Sequence, residues 1–210
     1  MIKILAADDH PIFRNGLRHI IEEADNMVLQ DEASLGKEVF QLLQKQAYDI
    51  LVLDIEMPDV NGLEVLKQVK LLHPALPVLI LSFYAEEQYA MRALKLGASG
   101  YLTKDSAASD FVVAVEKIVS GKKYITESVA EYLSEHIDQD IKEDPHRQLS
   151  DREYQVFFMI AEGRSLAEIS SILNLSPKTI STYKKRICEK LNLYNDAQIV
   201  RYAMKKGIVD

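Results

Sequence analysis

Five short apolar runs divide the first half of the chain at intervals of about 25 residues. They are "IKILAA" from Ile2, "MVLQ" from Met27, "DILVLD" from Asp49, "PVLILS" from Pro77 and "SGYLT" from Ser99. Between them apolar positions recur at helical spacing, as in Phe13, Leu17, Ile20 and Ile21, or Phe111, Val112, Val115, Ile118 and Val119. That alternation is βαβ. Runs such as "DILVLD" and "PVLILS" are apolar without alternating, as strands of a parallel sheet are when helices cover both faces. Five such strands with five helices predict a doubly wound α/β sheet of roughly 120 residues. The first domain is therefore expected to span residues 1–121.

Past Gly121 the pattern changes. "ITESVAEYLSEHI" reads as one amphipathic helix through Val129, Tyr132, Leu133 and Ile137, and "DQDIKEDPHRQ" after it is charged and broken by proline. Residues 122–147 are expected to be a partly helical linker. From there on the spacing is helical, giving an all-α four-helix domain over residues 148–210. "SDRE" is a capping box with Ser150 at the N-cap and Glu153 three residues later, opening a helix through Val156, Phe157 and Ile160 to Gly163. "SLAEISSILNL" supplies a short second helix and "NLSP" a tight turn. A longer third helix has Ser176 at its N-cap and Pro177 at its first position. Asn195 caps a fourth helix, which Gly207 closes.

Charge sharpens this division. The 210 residues are 48% apolar and 27% charged, as in an ordinary globular protein. The net charge of -7 conceals a split: residues 1–146 carry 14 Lys and Arg against 25 Asp and Glu, a net of -11, whereas residues 147–210 carry 11 against 7, a net of +4. The two parts have different electrostatic partners. A lone cysteine, Cys188, rules out an internal disulfide framework, a cysteine zinc site and a CxxC motif, and is expected to be a small buried apolar residue. The start "MIKILAADDH" lacks the apolar core of a secretory signal, and no stretch reaches the roughly 18 apolar residues of a membrane span. The expectation is a cytoplasmic protein with no membrane partner.

The polar residues at the strand ends suggest chemistry. Asp8 and Asp9 follow the first run, Asp54 ends the third, Ser82 the fourth and Lys104 the fifth. In an open parallel sheet the carboxyl edge is where ligands bind. Three carboxylates gathered there need a cation, most simply Mg²⁺, and a lysine and a hydroxyl suit phosphate oxygens. The residues permit attack of the Asp54 carboxylate on a phosphoryl donor. With no GxxxxGK[ST] and no GxGxxG in the chain, the phosphoryl group must arrive on a partner or a small donor. Taken alone, these residues also fit an α/β phosphohydrolase that uses Asp54 as a transient nucleophile, or a phosphorelay module.

"ADDHPIFRNGL", "DILVLDIEMPDVNGLEVLKQVK", "PVLILS" and "KLGASGYLTKD" resemble the receiver domain of NarL/FixJ-type two-component response regulators, whose sheet is flavodoxin-like. The resemblance implies that Asp54 is the phosphoacceptor for a sensor histidine kinase. It implies that Asp9, Asp54 and the main-chain carbonyl of Glu56 hold Mg²⁺, with Asp8 assisting through water. Lys104 would bind a phosphate oxygen, and Ser82 and Tyr101 would form a switch pair. Pro58, Asn61 and Gly62 shape the turn into the next helix. Receivers often carry a cis proline after the lysine. This chain has Asp105 there, and a trans bond is expected because a cis bond is costly before any other residue.

The C-terminal segment "AEISSILNLSPKTISTYKKRICEKL" has the helices and short turn of a helix-turn-helix. Ile169, Ile172 and Leu173 are expected to face inward from its first helix, and Ile180, Ile187 and Leu191 from its second. The other face of the second helix presents Lys178, Ser181, Thr182, Lys185 and Arg186, which suits phosphates and base edges; a merely solvated basic helix is the alternative. Residues 148–210 are similar to the LuxR-type four-helix domain. By that likeness Ser181, Thr182 and Lys185 read bases of promoter DNA, and Lys178, Thr179, Lys184 and Arg186 touch phosphates. Tyr183 and Lys184 stand where the family often has histidine and a small apolar residue, which shifts the contact pattern. The whole is expected to be no enzyme but a regulator that dimerises on phosphorylation, with RNA polymerase a further partner.

Overall fold

The computed structural model describes residues 1–83, 86–136 and 145–209. Backbone contacts divide the chain into two compact units, Met1–Ile137 and Asp138–Asp210. The first is built in the order β1 (Ile2–Ala7), α1 (Pro11–Glu22), β2 (Met27–Ala33), α2 (Gly36–Lys45), β3 (Ile50–Leu53), α3 (Gly62–Leu72), β4 (Val78–Ser82), α4 (Glu86–Lys95), β5 (Gly100–Thr103) and α5 (Ala107–Val119), followed by α6 (Glu127–His136). All strand pairs are parallel and the sheet order is β2-β1-β3-β4-β5. The predicted doubly wound sheet is present. Its strand order reverses between β1 and β3, which places their carboxyl ends on either side of one crevice.

Side chains alternate across the strands. Ile4, Ala6, Ile50, Val52, Leu79, Leu81 and Leu102 pack with Leu17 and Ile21 of α1 and with Phe111, Ala114, Val115 and Ile118 of α5. The intervening Leu5, Ala7, Leu51, Leu53 and Ile80 fill the opposite face and are equally buried. Burial on both faces is why these strands read as apolar runs rather than as alternating ones.

Two local devices fix the loops at the crevice. Asn61 caps α3 by accepting from the Leu63 amide at 2.9 Å, and the Gly62 amide donates to the Ile55 carbonyl at 2.9 Å. A Cβ on Gly62 would lie 2.0 Å from the Asp54 carbonyl oxygen and 2.8 Å from Ile55 Cα, so only glycine fits. Asp59 caps α2 from a distance, accepting from the amides of Gly36 at 2.7 Å and Lys37 at 3.1 Å. Those hydrogen bonds hold its carboxyl below the usual range although burial pushes it up.

Within the segment expected to be a linker, α6 packs against α4 in the first unit, with Val129 buried. The expected apolar positions Tyr132 and Leu133 have side chains outside the described residues, and so do Ile137 and residues 138–144.

The second unit contains a 3-10 turn (Pro145–Gln148), then α7 (Asp151–Ala161), α8 (Leu166–Ile172), α9 (Pro177–Leu191) and α10 (Asp196–Lys205). Its helices begin where side-chain caps are available. Ser150 and Glu153 form the expected capping box, and Ser165 with Glu168 repeats it at α8. Ser176 accepts from the Thr179 amide at 3.1 Å, and Asn195 from the Gln198 amide at 3.0 Å. Val156, Phe157, Ile160, Ile169, Leu173, Ile180, Ile187, Leu191 and Ile199 are buried.

Two expectations fail here. Ile172 is 42% exposed rather than inward-facing. In the short helix α8, Ile169 and Leu173 stack four residues apart on the buried face, and Ile172 falls at its rim. Cys188 is half-buried rather than buried; partial burial still pushes its thiol up.

Candidate functional site

Parallel strands of similar length bring their carboxyl ends to one level, and the sheet order puts β1, β3, β4 and β5 side by side. Asp8 and Asp9 leave β1, Asp54 leaves β3 and Lys104 leaves β5. Backbone bonds seat these residues: the Asp54 amide donates to the Ala7 carbonyl at 2.8 Å, and the Lys104 amide to the Ser82 carbonyl at 2.8 Å. Asp54 is 1% exposed. The Lys104 side chain is 0% exposed, and its Nζ lies 2.6 Å from Asp8 Oδ2 and 2.7 Å from Asp54 Oδ2. Residues about 50 positions apart thus share one buried ammonium. The Lys104–Asp105 peptide is trans, as expected.

His10 enters the same cluster, which the sequence did not reveal. Its Nδ1 lies 2.8 Å from Asp9 Oδ1, 3.2 Å from Asp8 Oδ1 and 3.8 Å from Asp54 Oδ2. The imidazole is raised to about 9, chiefly by Asp54 and further by Asp9 and Asp8, against burial and the Lys104 ammonium. The run "DDH" was the available signal, but adjacency in sequence does not say that a ring will turn back into the site. Burial raises the Asp8 carboxyl, and Asp54 adds to this while Lys104 opposes it. Asp9 is raised by burial and by Asp54, with His10 and Lys104 opposing.

Three carboxyl groups thus gather around the Lys104 ammonium and the His10 ring. Ligand atoms of Asp8, Asp9, His10 and Asp54 all lie within 4.8 Å of one another, a spacing that can hold a metal ion. Asp9 Oδ1 is buried and makes no hydrogen bond among the described residues, despite its closeness to His10. A surplus carboxylate charge and an oxygen without a donor fit a hard cation. Glu56 follows at once, its amide donating to Asp54 Oδ1 at 3.2 Å.

Ser82 is fully buried at the end of β4, and Tyr101 on β5 is 2% exposed. The register pairs Ile80 with Tyr101 and Ser82 with Thr103, so Ser82 and Tyr101 share one face of the sheet two residues out of step. Two aromatic residues not anticipated from the sequence complete the surroundings. Lys104 Nζ lies 4.7 Å from the ring centroids of both Phe13 and Phe83.

The second constellation lies on α9. Lys178, Ser181, Thr182, Lys185 and Arg186 form one exposed stripe, while Ile180, Ile187 and Leu191 are buried opposite. The preceding turn is held by Ser170, whose hydroxyl donates to the Leu175 carbonyl at 2.5 Å, and by Asn174 at φ +49°. Thr179 and Lys184 are half-buried. Lys184 Nζ pairs with Asp196 Oδ1 of α10 at 2.5 Å. Lys185 only approaches Glu189, at 3.8 Å.

A parallel sheet with an acid cluster at its switch point, on one chain with a helix-turn-helix, defines a class of two-part regulator: a control domain joined to a nucleic-acid reader. Residues 4–116 match the response regulator receiver domain, and residues 147–203 match the bacterial regulatory proteins of the luxR family. The response regulator UvrY of Escherichia coli strain K12 is 32% identical over 209 residues, 99% of this chain and 96% of UvrY. RcsB from Salmonella enterica serovar Typhimurium, bound to a promoter in the presence of the phosphomimetic BeF3-, is 29% identical with a TM-score of 0.61, covering 96% of this chain and 97% of RcsB. A structure of two RcsB dimers bound to two parallel DNAs is 30% identical with a TM-score of 0.60, covering 97% and 98%. The chain belongs to the NarL/FixJ-type response regulators, phosphorylation-controlled DNA-binding regulators of transcription rather than enzymes. Among the described residues no helix is long and apolar enough to cross a membrane.

Proposed function

We propose that Asp54 is the phosphoacceptor of this regulator, taking its phosphoryl group from a sensor histidine kinase, and that the phosphorylated receiver dimerises and strengthens promoter binding. The observation that carries this reading is the Lys104 ammonium held between Asp8 and Asp54 at 2.6 and 2.7 Å. A carboxylate oxygen of Asp54 attacks phosphorus, the bond from phosphorus to the donor breaks, and the donor leaves with the electron pair. Lys104 then moves from the Asp54 carboxylate to a phosphate oxygen. Asp9, Asp54 and the Glu56 main-chain carbonyl are suited to hold Mg²⁺, with Asp8 assisting through water. Bound there, the ion offsets charge on the transferring group. Ser82 supplies a hydroxyl to the phosphate, and the Tyr101 ring packs inward behind it.

The domains on this reading are a receiver over 1–121, a linker over 122–147 and a DNA-binding domain over 148–210. Ser181, Thr182 and Lys185 read base edges from the exposed stripe of α9, and Lys178, Thr179 and Arg186 touch phosphates. Lys184 joins the phosphate contacts only by giving up Asp196. A dimer on promoter DNA, as RcsB forms, would present two such helices to half-sites about one helical turn apart. The test is a DNA titration with and without acetyl phosphate and Mg²⁺, on the native chain and on Asp54→Asn. Tighter binding is expected only for the phosphorylated native chain, and equal binding in all four arms refutes the switch.

A further inference from the structure

Phe83 follows Ser82 directly and is 52% exposed, a large apolar ring half in water at the mouth of the acid cluster. Its inner side is fully engaged. The ring meets His10 edge-on at 5.6 Å between centroids and Phe13 at 6.3 Å, and it shares the Lys104 ammonium with Phe13 at 4.7 Å from each centroid. Yet the Lys104 side chain is 0% exposed and Asp54 1%. Phe83 therefore touches the buried Lys104 ammonium on one side and solvent on the other, beside the partly exposed His10 and Asp9, with Phe13 half-buried.

We propose that Phe83, backed by Phe13, is a hydrophobic cover that keeps water from phosphorylated Asp54 and so sets the lifetime of the acyl phosphate. This rests on Asp54 being the phosphoacceptor. Hydrolysis requires a water oxygen to attack phosphorus while the bond from phosphorus to the carboxylate oxygen breaks. The electron pair returns to Asp54, the water proton leaves with the product, and inorganic phosphate departs. Asp54 and Lys104 are buried, so water coming from the side where Phe83 meets solvent must pass that ring. An apolar ring there offers that water no hydrogen bond, and excluding it slows the reaction. The cation–π contact orients the cover by attaching its ring to Lys104.

The full-length chain is loaded with acetyl phosphate and Mg²⁺ and freed of donor. Decay of the phosphorylated form is then followed by phosphate-affinity electrophoresis for the native chain, Phe83→Ala, Phe83→Leu and Asp54→Asn. Phe83→Ala is expected to lose phosphate about threefold to tenfold faster, a lowering of the barrier by at most one tenfold step. Phe83→Leu, which keeps bulk without an aromatic face, should stay close to the native rate. Equal decay of Phe83→Ala and the native chain overturns the cover. Equal acceleration in both Phe83 variants also overturns it, making the ring a holder of Lys104 rather than a shield. A native chain that takes up no phosphate, or Asp54→Asn that takes up as much, instead removes the phosphoacceptor reading on which the inference stands.

Discussion

Replacing Gly62 with alanine tests whether the phosphoacceptor loop is set by backbone contact. An added Cβ would sit 2.0 Å from the Asp54 carbonyl oxygen, 2.8 Å from Ile55 Cα and 2.9 Å from the Asp54 carbonyl carbon. All three are main-chain atoms, so no side-chain rotation relieves the overlap. The Asp54–Ile55 backbone or the start of α3 must move by about 1.5 Å to restore ordinary contact distances. Overpacking of this kind costs about 1–3 kcal/mol, and alanine recovers only about 0.5–1 kcal/mol of helix propensity. The expected net loss is about 1 kcal/mol, and at most about 2.5 kcal/mol. Gly16 provides the opposite case: it lies within α1 and nothing comes within 4 Å of an added Cβ. Gly16→Ala should stabilise the fold by about 0.5–1 kcal/mol. Urea denaturation followed by far-UV circular dichroism measures both, and acetyl-phosphate uptake by Gly62→Ala should fall because Asp54 shifts. If Gly62→Ala matched the native chain in midpoint and uptake, packing against the Asp54 carbonyl would not be what fixes this loop.

Three further outcomes follow from the same geometry. Lys104→Met leaves the buried Asp8 and Asp54 carboxylates without their shared ammonium, and should cost about 3–5 kcal/mol in metal-free buffer, part of it restored by Mg²⁺; an unchanged melting temperature would contradict this. Burial pushes the Glu153 carboxyl up, but hydrogen bonds from Lys190 and the Ser150 amide bring it below its ordinary value. A depressed folded-state value means that its stabilisation is present above the ordinary carboxylate range and is lost as pH falls through the lowered value. Glu153→Gln should therefore flatten the acid limb of the second unit's unfolding curve, and parallel limbs for the two chains would count against it. Lys185→Ala should weaken promoter binding by about 1–3 kcal/mol, whereas Lys184→Ala should cost less because Asp196 already engages that ammonium. Fluorescence anisotropy on promoter DNA separates them, and a larger loss for Lys184→Ala would reverse the assignment.

The candidate site was only partly legible in the sequence. Asp8, Asp9, Asp54 and Lys104 could be placed at one sheet edge because each follows an apolar run, and a parallel sheet brings all such ends together. Their pairing could not be read that way. His10, Phe13 and Phe83 enter through side-chain direction, which no period reports, and Ile172 falls at the rim because Ile169 and Leu173 take the narrow buried face of the short helix.

The sequence by itself determined the order and type of the elements. Burial on both faces writes continuous apolar runs, helical packing writes its own spacing, and Ser150, Ser176 and Asn195 cap helices with neighbours three residues away. These are local effects. Only the tertiary structure decided what meets across the strand order: Lys104 between Asp8 and Asp54, Asp59 on the start of α2, Gly62 against the Asp54 carbonyl, and Lys184 turned to Asp196. Such contacts depend on distances between elements far apart in the chain, and the energy that fixes them comes from burial and close packing, which periodicity does not encode.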